Sequence, residues 1–274
     1  MNSKTDRNSK ISLSSLPLQR SDTVRILAVG NSFSVDAMEY LWPLCRAGGM
    51  RTVVLGNLYI GGCSLQTHWS NIQGRLPAYT YYRNTNGSWQ STPDVSVQQA
   101  LAEERWDVIT MQQASGSSGL PPTYTHLRDV YDFLQANKTN PAAEIWWHMT
   151  WSYQQDSTHK EFSNYGCRQA AMYRAIVHTV RDTVLPARPF SGLIPSGTAI
   201  QNLRGEVGDV LTRDGFHLSY GLGRYTAALT WFTALGGNPD AAKWVPAAYP
   251  ELKAELPRIR AAVRAACRSP LATI

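Results

Sequence analysis

Five short apolar runs recur along the chain. Each is followed by a polar or glycine-bearing corner and then by a stretch with helical spacing. The runs are residues 24–29 (VRILAV), 52–60 (TVVLGNLYI), 106–111 (WDVITM), 144–150 (EIWWHMT) and 191–198 (SGLIPSGT). Apolar runs of this length, bounded by turn residues, read as strands buried on both faces. Such strands alternating with helices specify a parallel sheet covered by helices on each side. The predicted fold class is therefore α/β: a three-layer α/β/α sandwich with a five-stranded parallel sheet, flavodoxin-like in appearance.

Helical segments are expected at 34–45, where Gly48-Gly49 stops the pattern, and at 64–73, 93–105, 124–136, 164–184 and 222–235. Residues 250–267 predict a surface helix, with Leu252, Leu256, Ile259, Val263 and Ala266 on one stripe. Residues 76–93 differ in character. They carry Tyr79, Tyr81, Tyr82 and Trp89 around Asn86-Gly87, a hairpin signal, and predict a hairpin insertion. A chain of 274 residues can bury one sizeable core, so residues 23–274 are expected to form a single domain. The polar stretch 1–22 reads as a disordered leader or an expression remnant.

A content of 43% hydrophobic and 17% charged residues excludes a disordered chain. The net charge of +6 comes from scattered Lys and Arg, with no basic run and no legible nucleic-acid module, so no nucleic-acid partner is expected. No stretch has the apolar length of a membrane span. The first twenty residues hold no apolar signal core. That leaves the compartment open between cytoplasm and export, and the oligomeric state is open too. Cys45, Cys63, Cys167 and Cys267 are too widely spaced for a zinc pattern, and their pairing is undecided. His68, His126, His159 and His178 show no metal spacing. Neither a metal nor an organic cofactor is expected.

In a parallel α/β sheet, sites form beyond the carboxyl ends of the strands. Three polar clusters follow strands here. In Gly30-Asn31-Ser32-Phe33-Ser34, Ser32 sits between strand and helix, where the helix N-terminus favours developing negative charge. The same serines also suit an N-cap. Gly61-Gly62-Cys63-Ser64 offers backbone N–H groups that a substrate oxygen can approach closely, or simply a turn. Gln112-Gln113-Ala114-Ser115 offers a side-chain amide to an oxyanion, or ordinary loop hydrogen bonds. A fourth cluster, Asp214-Gly215-Phe216-His217, precedes the last long helix. Asp and His three apart reach each other on one tight turn, where the carboxylate fixes the imidazole tautomer and stabilises its charged form. His148 and Trp151, at the end of the fourth strand, are candidates to line a substrate pocket; core packing is the alternative for both.

The order of these four clusters resembles the SGNH (GDSL-type) serine hydrolase superfamily over most of residues 24–237. GNSFS and DGFHLS are its most telling blocks, and together with QQAS and IPSGTAIQN they look most like a little-characterised bacterial subgroup. The resemblance implies an SGNH fold and ester hydrolysis through an acyl-enzyme. It matches Ser32 to the nucleophile, His217 to the base and Asp214 to its partner. It also matches the Ser32 and Gly62 N–H groups to the oxyanion hole. Two positions depart from the family pattern. Asn31 stands where the family often has Asp. Gln112, with Gln113 as alternative, must replace the usual oxyanion Asn. The expected substrate is a small-molecule or carbohydrate ester, either a short-chain acyl ester or a carbohydrate O-acetyl group. The alternatives are a lipase-like esterase for longer chains, and a non-catalytic carbohydrate-binding or assembly protein on the same fold. Phosphoester hydrolysis lacks the metal ligands it would need.

Overall fold

A computed structural model describes residues 15–273. The first fourteen residues of the expected leader lie outside the described residues. The rest of it is ordered: α1 (Pro17–Arg20) sits against the end of a later helix, with the Leu18 N–H donating to Leu235 O at 2.9 Å.

Each expected apolar run contains a strand. β1 (Thr23–Gly30) is followed by α2 (Ser32–Met38) and α3 (Leu41–Ala47). The single helix expected over 34–45 is thus two, bent at Glu39-Tyr40. β2 (Thr52–Tyr59) leads into α4 (Leu65–Gly74), whose Ser64 side chain caps the Thr67 N–H. The aromatic insertion forms β3 (Tyr79–Asn84) and β4 (Trp89–Val95) before α5 (Val97–Glu103). Then come β5 (Val108–Met111), α6 (Leu127–Asn137), β6 (Glu144–His148) and α7 (Gln169–Thr179). The chain ends with β7 (Gly192–Ile194), α8 (Ser196–Val207), α9 (Leu222–Ala234) and α10 (Leu252–Arg268).

Strands β2-β1-β5-β6-β7 are parallel neighbours in that order. Helices α2, α3, α8, α9 and α10 pack on one another as one layer, and α4, α5 and α6 pack together as another. The sheet has seven strands rather than the expected five, because the hairpin joins it. β3 pairs antiparallel with the outer edge of β2, and β4 pairs antiparallel with β3. The edge of β2 would otherwise offer unpaired N–H and C=O groups. The side chains of β3 alternate as a strand covered on one face requires. Tyr79 and Tyr81 are buried, whereas Thr80 and Tyr82 are only half-buried. A second difference lies at 191–198. Only Gly192–Ile194 is strand, and Ser196 already starts α8. The small residues there let the helix approach closely: a Cβ on Gly197 would stand 2.2 Å from Thr150 O.

Along the parallel strands the order reverses between β1 and β5. The connections diverge at that point and leave a crevice beyond the strand ends.

Candidate active site

A cavity of about 560 Å³ opens beyond the ends of β1, β2 and β5, at this reversal point. Ser32, Gly62, Ser115, Lys160, Glu161 and His217 are among its lining residues. Ser32 and His217, 185 positions apart in sequence, therefore face one space.

Local chemistry fixes Ser32 at the first position of α2. Gly30 ends β1 without a side chain, since a Cβ there would meet Ser34 Oγ at 2.3 Å. Asn31 then caps the helix, its Oδ1 accepting the Phe33 N–H at 3.0 Å. Asn31 is itself held, as its Nδ2 donates to Cys63 O at 3.1 Å. The Ser32 N–H belongs to the helix's unpaired first turn and points its dipole outward. Gly62, lining the same cavity, is exposed with φ at 63°, a left-handed conformation that favours glycine.

The D-x-x-H turn closes on itself. Asp214 Oδ2 lies 2.7 Å from His217 Nδ1, and Asp214 Oδ1 accepts the N–H groups of Phe216 (3.2 Å) and His217 (2.7 Å). Burial raises the Asp214 carboxyl, but the hydrogen bonds from the His217 ring and the two backbone groups outweigh it. The net effect holds Asp214 below the usual carboxylate range. Asp214 is thus anionic at neutral pH and orients the imidazole, whose Nε2 is left for other work.

Two connectors with no clear mark in the sequence hold this turn to α2. Asp36 lies one helical turn after Ser32 and its side chain is 1% exposed. It accepts Arg213 Nη1 at 3.0 and 3.1 Å, Arg224 Nε at 2.8 Å and the Leu218 N–H at 2.8 Å. Arg213 and Leu218 flank the Asp214–His217 turn, so one carboxylate ties the histidine loop to the serine helix. The available signal was a carboxylate in the mostly apolar FSVDAM and an Arg beside the D-x-x-H block. Trp151 is the second connector. Its ring stacks on Phe33 at 4.2 Å, and its Nε1 donates to Phe216 O at 2.8 Å.

Trp151 is fully buried and does not line the cavity, so the expectation that it binds substrate is corrected: it braces the neighbours of Ser32 and His217. His148 is likewise buried away from the cavity. Its Nδ1 meets Gln112 Oε1 at 2.7 Å and its Nε2 meets Ser196 Oγ at 2.9 Å. The Gln112 amide nitrogen donates to Asn31 Oδ1 at 2.8 Å. Gln112 is thus part of a buried line of polar groups, Asn31–Gln112–His148–Ser196, beneath the cavity, and is not a donor into it. Gln113 does not replace it. Its Oε1 accepts the Leu65 and Ala114 N–H groups, and its Nε2 donates to Thr123 O. Both amides satisfy backbone and side-chain groups brought in from distant segments.

The far wall of the cavity was not foreseen from the sequence either. The β6–α7 connection brings His159, Lys160 and Glu161 to the cavity, and His159 packs on Phe216 at 4.7 Å. Ser115 Oγ faces the cavity bonded to Tyr153 Oη at 2.8 Å. All four cysteines are free thiols, and Cys45 and Cys63 are buried.

The two fully buried imidazoles carry a stability prediction. Desolvation lowers His148 to about 3 and His68 to about 4, against about 6.5 for an ordinary histidine. Between those values the unfolded chain binds protons that the folded chain refuses, so stability falls as pH drops below about 6.5. The limiting slope is about 1.4 kcal/mol per pH unit for each imidazole. Urea midpoints are expected to fall steadily between pH 7 and 5; a flat or rising midpoint contradicts it.

Among solved structures the fold is similar to that of a candidate GDSL-like lipase from Parabacteroides merdae ATCC 43184. The TM-score is 0.52 at 13% identity, covering 79% of this chain and 96% of that one. It is also similar to Axe2, an acetylxylan esterase from Geobacillus stearothermophilus, with a TM-score of 0.51 at 10% identity, covering 82% and 97%. At these identities the likeness is one of fold. No curated protein matches the sequence. A much nearer likeness is to the crystal structure of a DUF4886 family protein from Bacteroides uniformis ATCC 8492. Its TM-score is 0.86 at 38% identity, covering 92% of this chain and 97% of that one. The model of that family, described as a domain of unknown function, matches residues 25–261, and the chain belongs to the DUF4886 family.

Proposed function

We propose that the chain is a serine hydrolase that cleaves carboxylic esters through an acyl-enzyme. The observation that carries this is the cavity shared by Ser32 and His217, with Asp214 held 2.7 Å from the far nitrogen of the imidazole. A hydroxyl at a helix N-terminus facing a carboxylate-oriented histidine suits nucleophilic catalysis. The fold it shares with proteins described as a lipase and an acetylxylan esterase is compatible with that chemistry, although fold alone does not fix function.

In this mechanism Ser32 Oγ attacks the ester carbonyl carbon while His217 Nε2 takes the hydroxyl proton. Asp214 stabilises the resulting imidazolium. The carbonyl oxygen becomes an oxyanion and accepts the N–H groups of Ser32 and Gly62. Collapse breaks the bond to the alcohol oxygen, which receives the proton from His217 and leaves. Water then attacks the acyl-enzyme. His217 accepts a proton from the water and returns it to Ser32 Oγ, releasing the carboxylic acid.

The lining favours a short acyl group on a polar alcohol. Ser64, Ser115, Ser117, Lys160 and Glu161 ring the cavity, and a long alkyl chain would desolvate these groups without pairing them. The test is hydrolysis of nitrophenyl acetate, butyrate and octanoate. We expect kcat/KM to fall from acetate to octanoate by about a hundredfold, the order of a few kcal/mol of mismatched burial. Equal or better turnover of octanoate rejects the short-acyl assignment, and no turnover of any ester rejects the hydrolase.

A further inference from the structure

A second pocket of about 170 Å³ lies between α2 and the inserted hairpin, lined by Val35, Glu39, Asn57, Tyr82 and Trp89. The sheet register brings its floor together. Asn57 stands opposite Tyr82, and Asn84 opposite Trp89, so these side chains share one face of the sheet. Tyr59, two residues beyond Asn57, is on that face as well. Tyr59 lines the Ser32 cavity, and its ring lies 5.7 Å from that of Tyr82. A run of aromatic rings, Tyr59, Tyr82 and Trp89, therefore leads from the candidate catalytic cavity to the second pocket.

Its polar groups are unusual for a structural crevice. Asn57 is 1% exposed. One end of its amide meets Ser34 Oγ at 2.9 Å, and the other has no hydrogen-bond partner among the described residues. The amide nitrogen is open to the pocket and can donate to a ligand there. Glu39 faces the same space, and Arg224 Nη1 lies 3.4 Å from its carboxylate. Half-buried aromatic faces beside an available amide N–H and a carboxylate suit a ligand with an apolar face and a hydroxylated edge. A pyranose ring has that character: its C–H face packs on an aromatic ring and its equatorial hydroxyls reach the polar groups. An alkyl chain would leave Asn57 and Glu39 desolvated. The volume is well below the roughly 300–1,000 Å³ typical of pockets for larger ligands, which fits a single sugar unit.

We propose that this pocket is a sugar-binding subsite holding the pyranose unit next to the acylated unit presented to Ser32. The inference rests on the ester-hydrolase proposal for the identity of its substrate, but binding is measurable apart from catalysis. The test titrates unacetylated xylo-, cello-, manno- and chito-tetraose into the full chain carrying Ser32→Ala, followed by calorimetry and by the indole N–H resonances. The Trp89 resonance is assigned by its loss in Trp89→Phe, which keeps an aromatic face. At least one tetraose is expected to bind and to shift that resonance, with Trp89→Ala weakening binding by about tenfold or more. The proposal is overturned if none binds at millimolar concentration, or if one binds while the Trp89 resonance stays in place. Nitrophenyl acetate turnover, compared between parent and Ser32→Ala, decides the esterase proposal separately.

Discussion

Ser32→Ala is expected to lower kcat on nitrophenyl acetate by about 10⁴-fold or more, and His217→Ala to lower it about as far. The two act as one unit: without the hydroxyl the imidazole has no proton to take, and without the imidazole the hydroxyl is a weak nucleophile. The double variant should therefore be scarcely slower than either single one. Asp214→Asn should retain more activity than His217→Ala, because the base survives and only its tautomer and charge stabilisation are lost. Steady-state rates of the four proteins check this. A Ser32→Ala protein within about tenfold of the parent contradicts the assignment, since removal of one supporting oxyanion donor alone costs about a hundredfold or more.

The second large effect is expected at Asp36. Removing one partner of a buried ion pair costs about 3–5 kcal/mol because the remaining charge is left unpaired. Asp36→Ala leaves two guanidinium groups, Arg213 and Arg224, facing a vacated site, and frees the Leu218 N–H as well. Thermal unfolding should drop by about 5–10 °C for a chain of this size. Activity should fall further than the folded fraction does, because the loop bearing His217 loses its tie to the helix bearing Ser32. Asp36→Asn keeps the shape and one acceptor, and should fall between parent and Asp36→Ala. Melting curves, with activity measured well below the transition, test both effects. Parent-like melting of Asp36→Ala would show that the clamp contributes little.

Short-range signals in the sequence marked most of the sheet. The five parallel strands are apolar runs cut by glycine or polar corners, and periodicity finds such runs without knowledge of partners. Asn86-Gly87 marked the hairpin for the same reason. Its attachment to β2 was not legible, because pairing Leu55 with Asn84 is a long-range event with no local signature. Residues 196–207 were hidden differently. Gly197, Thr198 and Ala199 are small and weakly periodic because they pack tightly, and the stretch therefore reads as the end of a strand. At the candidate site, the spacing of Asp214 and His217 announced their contact. Polar or aromatic residues at strand ends, such as Gln112, His148 and Trp151, suit roles in the cavity on local grounds alone. Their partners, Asn31, Ser196 and Phe216, come from distant parts of the chain, and only the folded structure reveals that these side chains are already engaged. Asp36 is illegible for the same reason: a carboxylate on a helix looks solvated until the arginines that bury it are seen.

The proposed chemistry depends on one hydroxyl, at residue 32, being made nucleophilic by one imidazole, at residue 217. A fluorophosphonate probe reports on this directly, since it forms a covalent adduct with an activated serine. Peptide mass mapping of the labelled chain should find a single adduct, on Ser32. Labelling should be abolished in Ser32→Ala and strongly slowed in His217→Ala. An adduct on another residue, or labelling of Ser32→Ala at the parent rate, would contradict the account.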